Sequence, residues 1–248
     1  MAITTLKRYE KKFLLNEAQY RAILPVLMQY MCFDDHCRNG REYTIYNVYY
    51  DTEDSSVICH SLSKPYYKEK LRLRSYSIPT STDSEVFLEL KKKIGGVVNK
   101  RRAVLELGEV YQFLDYGIRP QNLDYINGQV LNEIAYFLEN NAVKPAVNIS
   151  YKRSALFGKD DSCFRITFDR NIITRREEIS LEKGRFGEFL LSSDQYLMEV
   201  KVPGAFPMWL ARLLSENQIY KTSFSKYGKE YTQSLLKEES ATGLERAI

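Results

Sequence analysis

The feature that most constrains this chain is a two-residue alternation of cations with apolar side chains, repeated along most of its length. In "KEKLRLRSYS", residues 68 to 77, Lys70, Arg72 and Arg74 fall on one face of an extended strand and Leu71 and Leu73 on the other. The pattern recurs as Arg8, Glu10, Lys12; Glu89, Lys91, Lys93; Lys100, Arg102; Arg153; Arg165, Asp169; and Glu199, Lys201. Leu88 and Leu90, Val104, Ile166 and Phe168, and Val200 and Val202 are assigned to the opposite faces. A helical period cannot reproduce such spacing, so the chain is expected to be dominated by antiparallel strands.

Turn signals divide the strands. Gly95 and Gly96 between "SEVFLELKKKI" and "VVNKRRAVLEL" supply the positive φ angles of a tight hairpin, and "KDD" separates "AVNISYKRSALFG" from "CFRITFDRNIITRR". Asn16 reads as a helix N-cap before "EAQYRAILPVLMQYM", with Pro25 as a kink, and Pro207 opens the helix "PMWLARLLSENQ". A short helix is expected near 53–63 and a mostly helical insertion at 108–140. The reading is an α+β fold: an eight-stranded antiparallel β-barrel tunnel with flanking amphipathic helices, because eight long strands left open would expose edges. No linker or repeat divides the chain, so one domain spans residues 1–248, with its core over about 5–230 and a flexible tail at 238–248.

The cations raise a charge problem. A half-buried sheet commonly shows polar residues to water, but such a face mixes signs, since unit charges about 4 Å apart repel by roughly 1 kcal/mol in water and more at lower dielectric. Here Arg and Lys dominate although the net charge is only +4, so the charge is local rather than global. Cations turned into a shared lumen are favourable only around a polyanion, and a mixture of Arg forks and Lys point charges suits phosphate chains.

Other chemistries find little support. The aromatic residues lie in tyrosine-rich strands rather than among the cations, which argues against nucleic acid. "GGVVNK" is too short for a phosphate loop, and His36 and His60 make no triad. "CFDDHC" (Cys32, His36, Cys37) lacks the second ligand pair a zinc site needs. The start of the chain has no apolar signal region and no run nears the ~18 apolar residues of a membrane span, so a cytoplasmic chain is expected. What survives is phosphoryl transfer by positioning and charge neutralisation.

"RYEKKF", "KLRLRSY", "LELKKK", "NKRRA", "SYKRSALF" with "RITFD", "MEVKV" and "SFSKY" occur in an order that resembles the VTC domain, the polyphosphate polymerase domain of the vacuolar transporter chaperone family, within the triphosphate tunnel metalloenzymes. It is similar to compact standalone prokaryotic members. The resemblance implies a metal-dependent polyphosphate polymerase that moves the γ-phosphoryl group of ATP onto a growing chain, with Mn²⁺ or Mg²⁺ as cofactor. It implies catalytic roles for Lys12, Arg72, Arg74, Lys91, Arg153, Arg165 and Lys226. Phosphate contacts fall to Lys100, Arg102, Lys201, Arg8 and Ser225, and metal binding to Glu199 with Glu10 and Glu89, where salt bridging competes. Tyr227 adds a hydroxyl or simply packs. ATP and polyphosphate or triphosphate are the implied partners, with a separately encoded membrane partner as the tether and no membrane segment of the chain's own. Hydrolytic tunnel enzymes begin with Glu-x-Glu-x-Lys, whereas Arg8-x-Glu10-x-Lys12 stands here, which removes one potential metal ligand and favours a polymerase-like or chain-binding site over a two-metal triphosphatase. An inorganic triphosphatase or nucleotide phosphohydrolase, and a non-catalytic polyphosphate or nucleotide sensor, remain the alternatives.

Overall fold

A computed structural model of the chain describes the backbone of residues 9–121 and 123–245 and the side chains of 10–37, 40–121 and 123–240. In chain order the elements are β1 (Tyr9–Asn16), α1 (Glu17–Tyr30), β2 (Met31–Phe33), a 3₁₀ helix (Asp35–Gly40), β3 (Tyr43–Thr52), α2 (Ser56–Leu62), β4 (Tyr67–Ser75), β5 (Glu85–Ile94) and β6 (Val97–Glu106). They continue with α3 (Leu107–Tyr116), α4 (Tyr125–Asn140), β7 (Val143–Gly158), β8 (Arg165–Arg175), β9 (Glu188–Phe189), β10 (Gln195–Val202), α5 (Met208–Glu216), β11 (Lys221–Thr222) and α6 (Lys226–Glu245).

The fold is mixed α+β, and its sheet has eleven strands rather than eight, in the order β11-β1-β10-β8-β7-β3-β4-β5-β6, with β2 on β7 and β9 on β8. The eight long strands are those expected. The three additional ones, β2, β9 and β11, are two or three residues long, too short to leave an alternation in the sequence. The sheet is also not closed into the expected barrel: the order ends at β11 on one side and β6 on the other. The edges are managed by other means, since β11 offers only two residues and β6 carries Lys100, Arg101 and Arg102.

The residues form two compact units, and β3, β7 and β8 contribute to both. In the first (Met1–Thr44, Tyr151–Ile172, Phe189–Phe224), Phe13 and Leu15 of β1, Ile166 and Phe168 of β8, and Met198 and Val200 of β10 meet Ile23 and Leu27 of α1 and Leu210 and Leu213 of α5. α1 starts as expected: the Asn16 carboxamide accepts from the Gln19 N–H at 2.8 Å and Gln19 answers to the Asn16 N–H at 3.0 Å, a reciprocal cap. Pro25 sits inside α1, which continues through it to Tyr30.

In the second unit (Ile45–Ser150, Ile173–Glu188, Ser225–Ile248), Leu71 and Leu73, Leu88 and Leu90, and Ala103 and Leu105 pack under Val110 and Phe113 of α3 and Leu131, Ile134 and Phe137 of α4. Val104 is 39% exposed and is not part of this core. It has the same parity as Lys100 and Arg102 and therefore shares their face, while Ala103 and Leu105 take the buried positions. At the hairpin, Gly95 and Gly96 have φ of 52° and 90°, as the turn requires. α6 runs to Glu245, well into the segment read as a tail.

Two candidate anion-binding clusters

The second unit holds the denser cluster. Register places Arg72 of β4 opposite Glu89 of β5, and Glu89 opposite Arg102 of β6, so three charged residues form one cross-strand row. Glu89 is 1% exposed and serves as a hub. Its Oε2 accepts from Arg72 Nε at 3.0 Å and from Arg72 Nη2, with Arg74 Nε 3.9 Å away, and its Oε1 accepts from Arg102 Nε at 2.7 Å and Lys100 Nζ at 3.0 Å. Burial alone would raise the Glu89 pKa, but Arg72, Arg74, Lys100 and Arg102 overcome it and hold the carboxyl far below the ordinary range. One carboxylate against four cations leaves the cluster net positive.

β3 supplies the polar backing. Asn47 is buried, donates to the Ile149 carbonyl at 2.8 Å and accepts from Arg74 Nε at 2.9 Å. The Tyr49 hydroxyl accepts from Arg72 Nη1 at 3.1 Å. Burial would raise the Tyr49 pKa, yet Arg72, Arg74 and Lys226 draw it down to about 8. The next row toward the hairpin aligns Lys70, Lys91 and Lys100 with no carboxylate among them. Burial lowers Lys70 to about 8, and burial with Arg102 lowers Lys100 to about 8 against the opposing pull of Glu89.

Lys226 is buried at the start of α6. Ser225 is exposed, and its hydroxyl accepts from the Gly228 N–H at 3.2 Å, a helix-capping position. The Tyr227 hydroxyl donates to Asp51 Oδ2 at 2.6 Å, and Asp51 also accepts from the Val57 and Ile58 N–H groups at the start of α2. Tyr227 therefore packs α6 down rather than presenting a hydroxyl to a ligand.

The first unit holds the second cluster. Lys12 lies opposite Glu199 in the β1–β10 register, with Lys12 Nζ 3.1 Å from Glu199 Oε1, 3.5 Å from Glu10 Oε1, and donating to the Phe224 carbonyl at 3.0 Å. Arg153 forms a two-pronged pair with the buried Asp169, at 2.6 and 2.7 Å, and its Nη2 lies 3.8 Å from Glu199 Oε2. Burial would lower the Arg153 pKa, but Asp169 raises it well above its ordinary value. Arg165 Nη2 is 3.7 Å from Asp34 Oδ2, and Lys201, held below its ordinary value mainly by burial, lies opposite both Glu10 and Arg165. Arg8 lies outside the described residues.

The expected site residues thus fall into two groups: Arg72, Arg74, Glu89, Lys91, Lys100, Arg102 and Lys226 in one unit, and Glu10, Lys12, Arg153, Arg165, Glu199 and Lys201 in the other. Asn47, Tyr49 and Asp34 were missed. For the first two a signal existed, because they alternate with Val48 and Tyr50 within "YNVYY". Among the described residues no group of three or more His, Cys, Asp or Glu is placed to hold a metal. Mg²⁺, however, commonly takes one or two carboxylates and completes its shell with phosphate oxygens and water. Glu10 and Glu199 fit that demand. Glu89 does not, since both its oxygens already serve guanidinium and ammonium donors.

A cationic strand row organised by one buried carboxylate and set in an α+β fold built on an antiparallel sheet has the charge to hold an anion. The match to the VTC domain model over residues 7–235 is specific, and the chain belongs to that family. No curated protein matches it by sequence. Among solved structures, the fold is similar to that of a Bacillus halodurans protein provisionally assigned as an adenylate cyclase, at 13% identity and TM-score 0.51, covering 88% of this chain and 95% of that one. A Vibrio parahaemolyticus protein with the same provisional assignment (14% identity, TM-score 0.45, covering 90% and 97%) and a Pyrococcus horikoshii protein (13%, 0.41, 91% and 99%) also match.

Proposed function

We propose that this protein is a metal-dependent polyphosphate polymerase, transferring the γ-phosphoryl group of ATP to the end of a polyphosphate chain. The observation that carries the reading is Glu89. A fully buried carboxylate holding Arg72, Arg74, Lys100 and Arg102 together makes sense as a device for building a rigid, net-positive surface before any ligand arrives. Membership of the VTC domain family supports the same conclusion. In this reading Arg72, Arg74, Lys91, Lys100 and Arg102 grip phosphate oxygens, with Lys226 beside them. Lys12, Arg153, Arg165 and Lys201 neutralise charge in the other unit. Glu199 and Glu10 would hold Mn²⁺ or Mg²⁺ within that unit, where the ion would supply charge neutralisation to phosphate oxygens bound there.

The decisive assay incubates the purified protein with ATP and Mn²⁺ and separates the products on a gel. Accumulation of long-chain polyphosphate is expected. Orthophosphate as the sole product would transfer the reading to a triphosphatase, and binding without turnover to a sensor. The sensor reading draws on one observation of its own: Glu199, the principal candidate metal ligand, is engaged by Lys12 and Arg153.

A further inference from the structure

The end of the β5–β6 hairpin turns apolar side chains outward. Ile94, Val97 and Val98 are 45, 47 and 45% exposed, and Tyr66 beside them is 77% exposed. This is not the core spilling outward. On the helix-covered face the rows read Leu73–Leu88–Ala103, Leu71–Leu90–Arg101, Glu69–Lys92–Asn99 and finally Tyr67–Ile94–Val97. The third row is ionic: Lys92 pairs with Glu69 at 3.4 Å and with Glu133 of α4 at 3.1 Å, and Arg101 also holds Glu133. A polar row therefore separates the apolar tip from the core, and the exposed part of its aliphatic side chains adds nothing to that core.

The tip is also built firmly and ringed by one sign of charge. The Gly95 N–H donates to the Tyr66 carbonyl at 2.9 Å, and the Tyr66 ring lies so close to the turn that a Cβ at Gly95 would meet it at 3.0 Å. On the opposite face Val98 stands in a row with Lys93 and Lys68. Lys93, Lys64 and Lys91 are near enough to Lys68 to help burial lower its pKa, while the nearby carboxylates Glu69 and Glu133 are already paired with Lys92 and Arg101. By contrast, the exposed Tyr116, Ile118, Tyr125 and Ile126, from the end of α3 to the start of α4, are flanked by Asp115 and Asp124, which an anionic surface would repel.

We propose that the β5–β6 tip docks on an anionic lipid surface, with Ile94, Val97 and Val98 entering the headgroup region, Tyr66 at its boundary, and Lys64, Lys68 and Lys93 against lipid phosphates. Aliphatic side chains and a lysine ring act together here, since neither a few apolar contacts nor a few charges suffice alone. The inference is independent of turnover, because docking is read without ATP.

The test is co-sedimentation of the full chain with vesicles of phosphatidylcholine alone and of equimolar phosphatidylcholine and phosphatidylglycerol. Binding to the mixed vesicles only is expected. It should fall at least ~tenfold in I94S/V97S/V98S and by about fivefold per lysine in K64Q/K93Q, with tripolyphosphate affinity unchanged in I94S/V97S/V98S. The single variant V97D, also expected to lose vesicle binding, guards against misfolding of the triple one. Equal binding by wild type, the triple variant and V97D would overturn the proposal, since the cationic face alone would then suffice. So would failure of the wild type to sediment with either vesicle. A wild-type dimer that I94S/V97S/V98S converts to monomer, without vesicle binding, would assign the tip to a second copy and overturn it equally.

Discussion

Lys12 Nζ lies 3.1 Å from Glu199 Oε1, and the two residues face each other directly across β1 and β10. The carboxylate proposed to hold a metal is thus held by a lysine, and a divalent cation bound there would compete with Lys12 for it. The variant Glu199→Gln separates the two roles. Losing a negative charge from a cationic cluster strengthens polyanion binding, so tripolyphosphate affinity by calorimetry should rise a few-fold. Losing the ligand should lower Mn²⁺-dependent turnover by on the order of a hundredfold. A parallel fall in both quantities would contradict this division of labour.

Glu89→Gln should cost stability. Removing one partner of a buried ionic network leaves its counterpart charges uncompensated, at about 3 to 5 kcal/mol, or roughly a 10 °C fall in Tm for a chain of this size. Saturating tripolyphosphate should restore much of the loss by supplying the missing negative charge. The sign with pH follows from the lowered Glu89 pKa. Its contribution is complete above the ordinary carboxylate pKa and is lost only as pH falls toward the much lower folded value. The difference between wild-type and Glu89→Gln melting points should therefore persist through mildly acidic pH and narrow only in strong acid.

The long strands, the Gly95–Gly96 hairpin and the Asn16 cap were legible because each rests on local chemistry: a two-residue period, a positive φ, a side chain within reach of its own helix. Sheet closure was not, since it depends on whether β11 and β6 meet, and no period in either strand encodes that. The site was half legible. Alternation put Arg72, Glu89 and Arg102 on polar faces, but only register made them neighbours. Glu89 and Glu199 look alike in "LELKKK" and "MEVKV", yet one is enclosed by four cations and the other sits beside Glu10 and Lys12.

Anion affinity should fall as pH rises past about 8. Lys70 and Lys100 titrate near about 8, and Tyr49 acquires a negative charge at about 8. All three changes work against a polyanion, and a bound polyanion in turn raises the lysine pKa values, so binding takes up protons in this range. Calorimetry in buffers of different ionisation enthalpy should detect that uptake between pH 8 and 9, at roughly one to two protons. Lys100→Arg, which keeps its charge, should flatten the profile in part. A flat affinity from pH 7 to 9 would rule out these groups as ligands.

The Tyr227 hydroxyl, 2.6 Å from Asp51, ties α6 to the carboxylate that also caps α2, and Lys226 is the residue immediately before it. A hydrogen bond to a buried charged acceptor contributes about 1.5 to 3 kcal/mol. Tyr227→Phe should accordingly lower Tm by roughly 3 to 12 °C. Asp51 keeps its bonds to the Val57 and Ile58 N–H groups, so α2 should stay formed and the loosening should be confined to α6. Hydrogen exchange would then rise in α6 but not in α2. Because Lys226 moves with α6, tripolyphosphate affinity should weaken in the same variant, whereas Ser225→Ala, which removes only a capping contact on an exposed residue, should leave affinity nearly unchanged.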